Sequence, residues 1–152
     1  MRKKIILIVF IIAILIVSIL KQTLVYDLPI RANVGLGIDD MLMIYMTNSI
    51  ANGKWIGGYN DVILSKGVSF PLMLALCYYM HMDYITMMTL LYTFACLYLT
   101  YVLSKKIKNK IILFFIYTLT LFTPIMYSYQ VMQRVYRNAS IPSLSIFIIE
   151  FC

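Results

Sequence analysis

The chain has 152 residues, is 62% hydrophobic and only 12% charged, and carries a net charge of +7. A soluble domain holds about 25% charged residues, so a chain this apolar cannot be solvated on every side and reads as an integral membrane protein. The basic residues gather at Arg2, Lys3 and Lys4 and again at Lys105, Lys106, Lys108 and Lys110, flanking apolar runs. That pattern fits cytoplasmic flanks touching lipid headgroups and does not fit a nucleic-acid partner.

The expected architecture is all-α and membrane-embedded, with three to four transmembrane helices and an outer loop carrying juxtamembrane amphipathic helices. The first element is an almost unbroken aliphatic run behind Arg2-Lys3-Lys4. It exceeds the apolar stretch of a signal peptide, and no small-x-small cleavage site follows it. A retained helix over about 4–25 is therefore expected, its N-terminus cytoplasmic. Residues 26–83 differ in kind. They hold five of the six acidic residues (Asp27, Asp39, Asp40, Asp61 and Asp83), all six glycines and the sole tryptophan, Trp55. Loops beyond ~12–15 residues are commonly functional or disordered, and this one is too apolar for disorder. Within it, 40–52 reads as an amphipathic helix with Met41, Ile44, Tyr45, Asn48 and Ala51 at helical spacing. Asp39 is placed to cap its start and Asn52-Gly53 to end it. Residues 54–61 are turn-rich, and 68–82 form an apolar stretch of fifteen residues with Pro71 near its start.

Two further spans follow, at about 84–103 and 111–129, the second with Pro124 near its end. A polar loop, 130–140, leads to a partial span at 141–152, short of the ~20 residues a crossing needs. The whole 1–152 is thus expected to be a fragment of a longer protein or the product of a truncated reading frame. Topology turns on 68–82. If that segment crossed fully, the four lysines at 105–110 would lie outside, against the positive-inside tendency of short loops. Its shortness favours a re-entrant or interfacial helix. The acidic pair and the Arg134, Tyr136 and Arg137 group then share the outer face.

Cys77, Cys96 and Cys152 have no CxxC spacing and an odd count, which suits buried bystanders rather than a disulfide or metal framework. His81 reads as an interfacial residue. Asn138-Ala139-Ser140 matches a glycosylation sequon, but the Ile-, Lys- and Met-rich composition is that of a low-GC bacterium and the match carries no weight.

The adjacent carboxylates Asp39 and Asp40 admit three roles. They are a helix cap and dipole partner, or ligands of a divalent cation, or a general base whose basicity rises as a bilayer surface strips its water. The stretch "GIDDMLMIYMTNSIANGKWIGGYNDVILSKGVSFPLMLAL", residues 37–76, bears on the choice. It resembles the first outer loop of the GT-C superfamily of membrane glycosyltransferases, in the polyprenyl-phosphate-sugar branch that includes aminoarabinose and protein mannosyl transferases. That pattern runs acidic pair, aromatic, helix ending in glycine, Gly/Tyr stretch, then lysine and proline before an apolar helix. Here those positions read Asp39-Asp40, Tyr45, Asn52-Gly53, Gly58-Tyr59, Lys66 and Pro71. The acidic pair is Asp-Asp where the family has Asp-Glu. The second outer loop, "QRVYRN", carries Arg134 and Arg137 where the family often has an acid; that argues against a two-carboxylate or metal-bridged version.

The resemblance implies an inverting transfer of a sugar from a polyprenyl-phosphate donor to a cell-envelope acceptor on the outer face of the membrane. It makes Asp39 the general base with Asp40 beside it as catalytic residues. Lys66, Arg134 and Arg137 become the candidates for the phosphate, because cations stabilise the leaving group and arginine forks match phosphate oxygens. Tyr45, Trp55, Tyr59 and Tyr136 line the substrate groove. No cofactor is implied, a divalent cation being the one alternative, and membrane lipid is the other partner. Each residue also has a plainer reading: headgroup anchoring for Arg134 and Arg137, snorkelling for Lys66, interfacial anchoring for Trp55. The alternative function is a non-enzymatic small membrane protein or inactive remnant. A channel or transporter is disfavoured, since neither later span has a charge at mid-helix.

Overall fold

A computed structural model describes residues 2–30, 38–58, 67–128, 131 and 133–151. Among these there are six α-helices: α1 Arg2–Tyr26, α2 Ile38–Ala51, α3 Ser69–Tyr79, α4 Tyr84–Lys106, α5 Lys110–Leu121 and α6 Ile141–Phe151. Short 3₁₀ turns at Pro124–Tyr127 and Arg137–Ala139 join the last two. Three stretches are long and apolar enough to cross a membrane, Lys4–Tyr26, Tyr84–Lys106 and Lys110–Tyr127. The chain is a multi-pass, all-helical membrane protein.

The packing fixes how these helices run. Leu7 and Phe10 of α1 lie with Tyr101 and Ser104 of α4, whereas Gln22 and Tyr26 lie with Thr86 and Leu90, so α1 and α4 are antiparallel. Phe10 meets Lys110 and Ser18 meets Tyr117, so α5 runs parallel to α1. One end of the bundle therefore holds the start of α1 and the Lys105–Lys110 turn; it is called here the lysine end. The other, the loop end, receives the end of α1 and the start of α4. Residues 27–83 leave and return at that same end. The eleven residues of α3 span about 16 Å, half of the ~30 Å hydrocarbon core, and make no net crossing.

α4 is the central helix. It buries Ile85, Met88, Thr89, Tyr92, Cys96 and Thr100, while α1 shows a broad aliphatic surface outward. Hydrocarbon leaves no water for polar groups, so hydroxyls turn back on the helix or across to a neighbour. Thr93 donates to the Thr89 carbonyl at 2.8 Å and Thr100 to that of Cys96 at 2.8 Å. Between helices, the Tyr92 hydroxyl donates to the Thr120 carbonyl at 2.8 Å, and the Ser18 and Tyr117 hydroxyls share a 2.6 Å hydrogen bond. Pro124 stops α5 early: Thr123 before it is extended, with ψ 134°, as a residue preceding proline prefers. Helix α5 thus ends at Leu121 and the span finishes as a 3₁₀ turn.

Two helices end in the same way. The Lys54 N–H reaches the Ser49 carbonyl and the Gly53 N–H that of Ile50, at 2.9 and 3.0 Å, with Gly53 at φ +70°. This is a Schellman cap with glycine in the left-handed position, at the Asn52-Gly53 boundary expected from sequence. At the end of α3, Met82 and His81 repeat the pattern onto Cys77 and Tyr78, and His81 takes the left-handed position at φ 50°. His81 is exposed, and its backbone supplies the α3 cap. Cys77 and Cys96 are buried, and among the described residues neither forms a disulfide.

Candidate site at the loop end

Helix α2 begins at Ile38, two residues earlier than expected, so Asp39 and Asp40 both sit inside its first turn and Asp39 is not the N-cap. Their charge still favours the positive helix end. The helical phase then separates them. Asp40 shares a face with Met43 and Met46, all fully buried. Asp39 is half-buried. The expected stripe is therefore rotated: Met41, Tyr45 and Asn48 are exposed, and the packed face is the Asp40–Met43–Met46 side, which lies against α3 and the bundle.

The buried carboxylate is met by Arg134. The guanidinium Nε donates to both Asp40 oxygens at 2.9 Å, and Nη2 lies 2.8 Å from Oδ1. The arginine side chain is 20% exposed and the aspartate 1%. Such a multiply bonded, charge-assisted contact is among the stronger polar interactions a protein makes. The hydrogen bonds to Asp40 raise the Arg134 pKa above the ordinary arginine value and hold it charged, with Asp39 adding a smaller favourable field. Two aromatic residues fix the arginine. The buried Tyr84 hydroxyl, at the head of α4, donates to the Arg134 carbonyl at 2.9 Å. Tyr136 presents its ring 4.9 Å from the Arg134 guanidinium carbon and 5.5 Å from that of Arg137, a cation–π arrangement on one ring.

The site residues expected from sequence thus divide into three groups. Asp39, Asp40, Arg134, Tyr136 and Arg137 come together at the loop end. Arg134 is not held apart for a phosphate, however: its fork is committed to the carboxylate that was expected to flank the base. Tyr45 and Trp55 are not part of this cluster. Tyr45 faces outward and packs beside Gly57, and Trp55, exposed and left-handed at φ 52°, lies past the far end of α2. Tyr59 and Lys66 fall outside the described residues. The cation alternative loses a ligand for the same reason, because both Asp40 oxygens face the guanidinium. Among the described residues no three His, Cys, Asp or Glu side chains gather as a metal site.

An open groove of about 510 Å³ lies between α4, the end of α5 and the start of α6. Tyr92, Ile125, Ile141 and Ile146 supply apolar walls, with Thr120 and Asn138 among its polar groups. Arg137, exposed, lies one residue from Asn138 in sequence.

Two residues of this end carry no motif. Tyr84 reads from sequence only as the first residue of a span. Lys21 is the one charge inside the first apolar run, and it is fully buried. Its position within the run was the available signal; which way it points was not. Compared with protein-family models, curated proteins and solved structures, the chain matches none.

Proposed function

We propose that this chain forms part of a membrane glycosyltransferase that moves a sugar from a polyprenyl-phosphate donor to a cell-envelope acceptor, at the loop end of the bundle. By the positive-inside tendency the lysine end is cytoplasmic and the loop end faces outward. The observation that carries the reading is the meeting of Asp40 and Arg134, which puts the head of α2 and the loop before α6 into one cluster at the loop end. Asp39, the more accessible carboxylate, is the general base. It takes the proton of the acceptor hydroxyl as that oxygen attacks the anomeric carbon. The bond from that carbon to the phosphate oxygen breaks, and the phosphate leaves with the electron pair. Attack opposite the leaving group inverts the centre. Asp40, locked by Arg134, orients the first turn of α2, and Arg137 contributes positive charge near the leaving phosphate.

A second reading is favoured by the full burial of Asp40: a non-enzymatic membrane protein in which the pair only clamps α2 to the bundle. One experiment separates the two. Proteoliposomes of the full-length protein are given polyprenyl-phosphate sugars together with cell-envelope glycan and glycolipid as acceptor, and liberated polyprenyl phosphate is measured. The transferase releases it, and Asp39→Asn abolishes release by about 10²-fold or more, the scale of general-base catalysis, without loss of insertion. Release that persists at the parental rate in Asp39→Asn removes Asp39 from the base role; no release from any donor leaves the clamp reading.

A further inference from the structure

Besides Arg134 and Arg137, a third cation lies at the loop end, and its surroundings are the reverse of those of Arg134. Lys21, five residues before the end of α1, is fully buried. Its ammonium lies 3.5 Å from the Tyr127 ring centroid and 5.7 Å from that of Phe122. An ammonium has three N–H donors, and among the described residues none of them meets an acceptor. The aromatic faces offset part of the charge's lost hydration but leave those donors unmet. The amide nitrogen of the adjacent Gln22 is also buried without an acceptor. The hydroxyls closest to it in sequence are already engaged: Ser18 with the Ile14 carbonyl and Tyr117, Thr23 with the Leu20 carbonyl. The buried carboxylate of this end, Asp40, belongs to Arg134. A lysine inside a membrane span that faces the protein interior is costly, and such residues mark ligand or ion sites.

We infer that Lys21, with Gln22 beside it, is an anion-binding element that receives a phosphate oxygen of a lipid headgroup. Lys21 lies about 7 Å short of the end of α1, and the anions delivered to that depth of a bilayer are lipid phosphates. Binding exchanges the Tyr127 ring face for a phosphate oxygen and gives Lys21 and Gln22 the acceptors they lack. Lys21 thereby supplies the phosphate-holding charge that Arg134, committed to Asp40, does not. That the lipid is a polyprenyl phosphate rests on the proposed function; the phosphate chemistry does not.

The test uses the full chain in phosphatidylcholine nanodiscs, with thermal unfolding followed as phosphatidylglycerol or a polyprenyl monophosphate is added. A ligand of the folded state raises the unfolding midpoint in proportion to its occupancy. Lys21→Met weakens that response about 10-fold or more in lipid concentration, the loss of a charge-assisted hydrogen bond. Lys21→Arg keeps it within a few-fold. The lipid-free midpoint of Lys21→Met does not fall, because the change removes an unsatisfied buried charge. Should the Met variant fail to insert, Lys21→Gln serves in the same comparison. A parental response in Lys21→Met overturns the assignment. So does a fallen lipid-free midpoint with no response of the parent protein to either lipid, which makes Lys21 a packing residue held by Tyr127. Response to phosphatidylglycerol but not to polyprenyl phosphate upholds Lys21 and removes the polyprenyl donor.

Discussion

Replacing Arg134 by leucine strands the Asp40 carboxylate in a site where it has 1% of its side-chain surface exposed and three contacts of 2.8–2.9 Å to one guanidinium. Removing one member of a buried pair destabilises by about 3–5 kcal/mol, because the surviving charge keeps its desolvation and loses its partner. Arg134 itself is 20% exposed, so water reaches the gap in part and the lower end, about 3 kcal/mol, is expected. Replacing both partners, Asp40→Leu with Arg134→Leu, removes the stranded charge and adds an apolar group to the Met43–Met46 face. Most of the loss is then recovered, giving a coupling energy of about 2–3 kcal/mol. The assay is reversible unfolding in mixed micelles for the four proteins of the cycle. Trp55, the sole tryptophan, follows the Schellman-capped end of α2 and reports on that unit. A coupling below about 1 kcal/mol is the range of solvated surface pairs and would refute the burial argument, and with it the joining of α2 to the loop before α6.

Two other expectations are independent of function. In a cysteine-free background, single cysteines at Lys108 and at Lys54 label from opposite sides of the membrane with an impermeant thiol reagent, Lys54 from outside in intact cells; labelling of both from one side would mean that residues 27–83 cross the bilayer. Gly57 has φ +85°, and a Cβ there would lie 2.8 Å from the Ser49 hydroxyl and 2.9 Å from the Tyr45 ring. Gly57→Ala is expected to destabilise by about 2–4 kcal/mol through backbone and steric strain together, whereas Gly58→Ala, with nothing within 4 Å of its Cβ, changes stability by less than about 0.5 kcal/mol; equal effects in the same unfolding assay would contradict the turn geometry.

Composition and local pattern were enough to give the class and the elements. Long aliphatic runs have only one low-energy solution in hydrocarbon, a helix that satisfies its own backbone. The spans expected at 4–25, 84–103 and 111–129 therefore lie within a few residues of Lys4–Tyr26, Tyr84–Lys106 and Lys110–Tyr127. Local chemistry also placed the end of α2, because Asn52-Gly53 suits a left-handed cap whatever surrounds it. The remainder depended on long-range packing. Only the antiparallel packing of α1 and α4 returns residues 27–83 to the end they left, since a short apolar run has no side of its own. The face α2 buries was not legible either. In so apolar a helix the stripe is weak, and the choice fell to Asp40, which must be buried where its partner is. That partner is 94 residues away, beyond the reach of any local pattern. The same holds for Lys21: its place in an apolar run was plain, but whether its amine turns to headgroups or into the bundle depends on where Phe122 and Tyr127 come to rest.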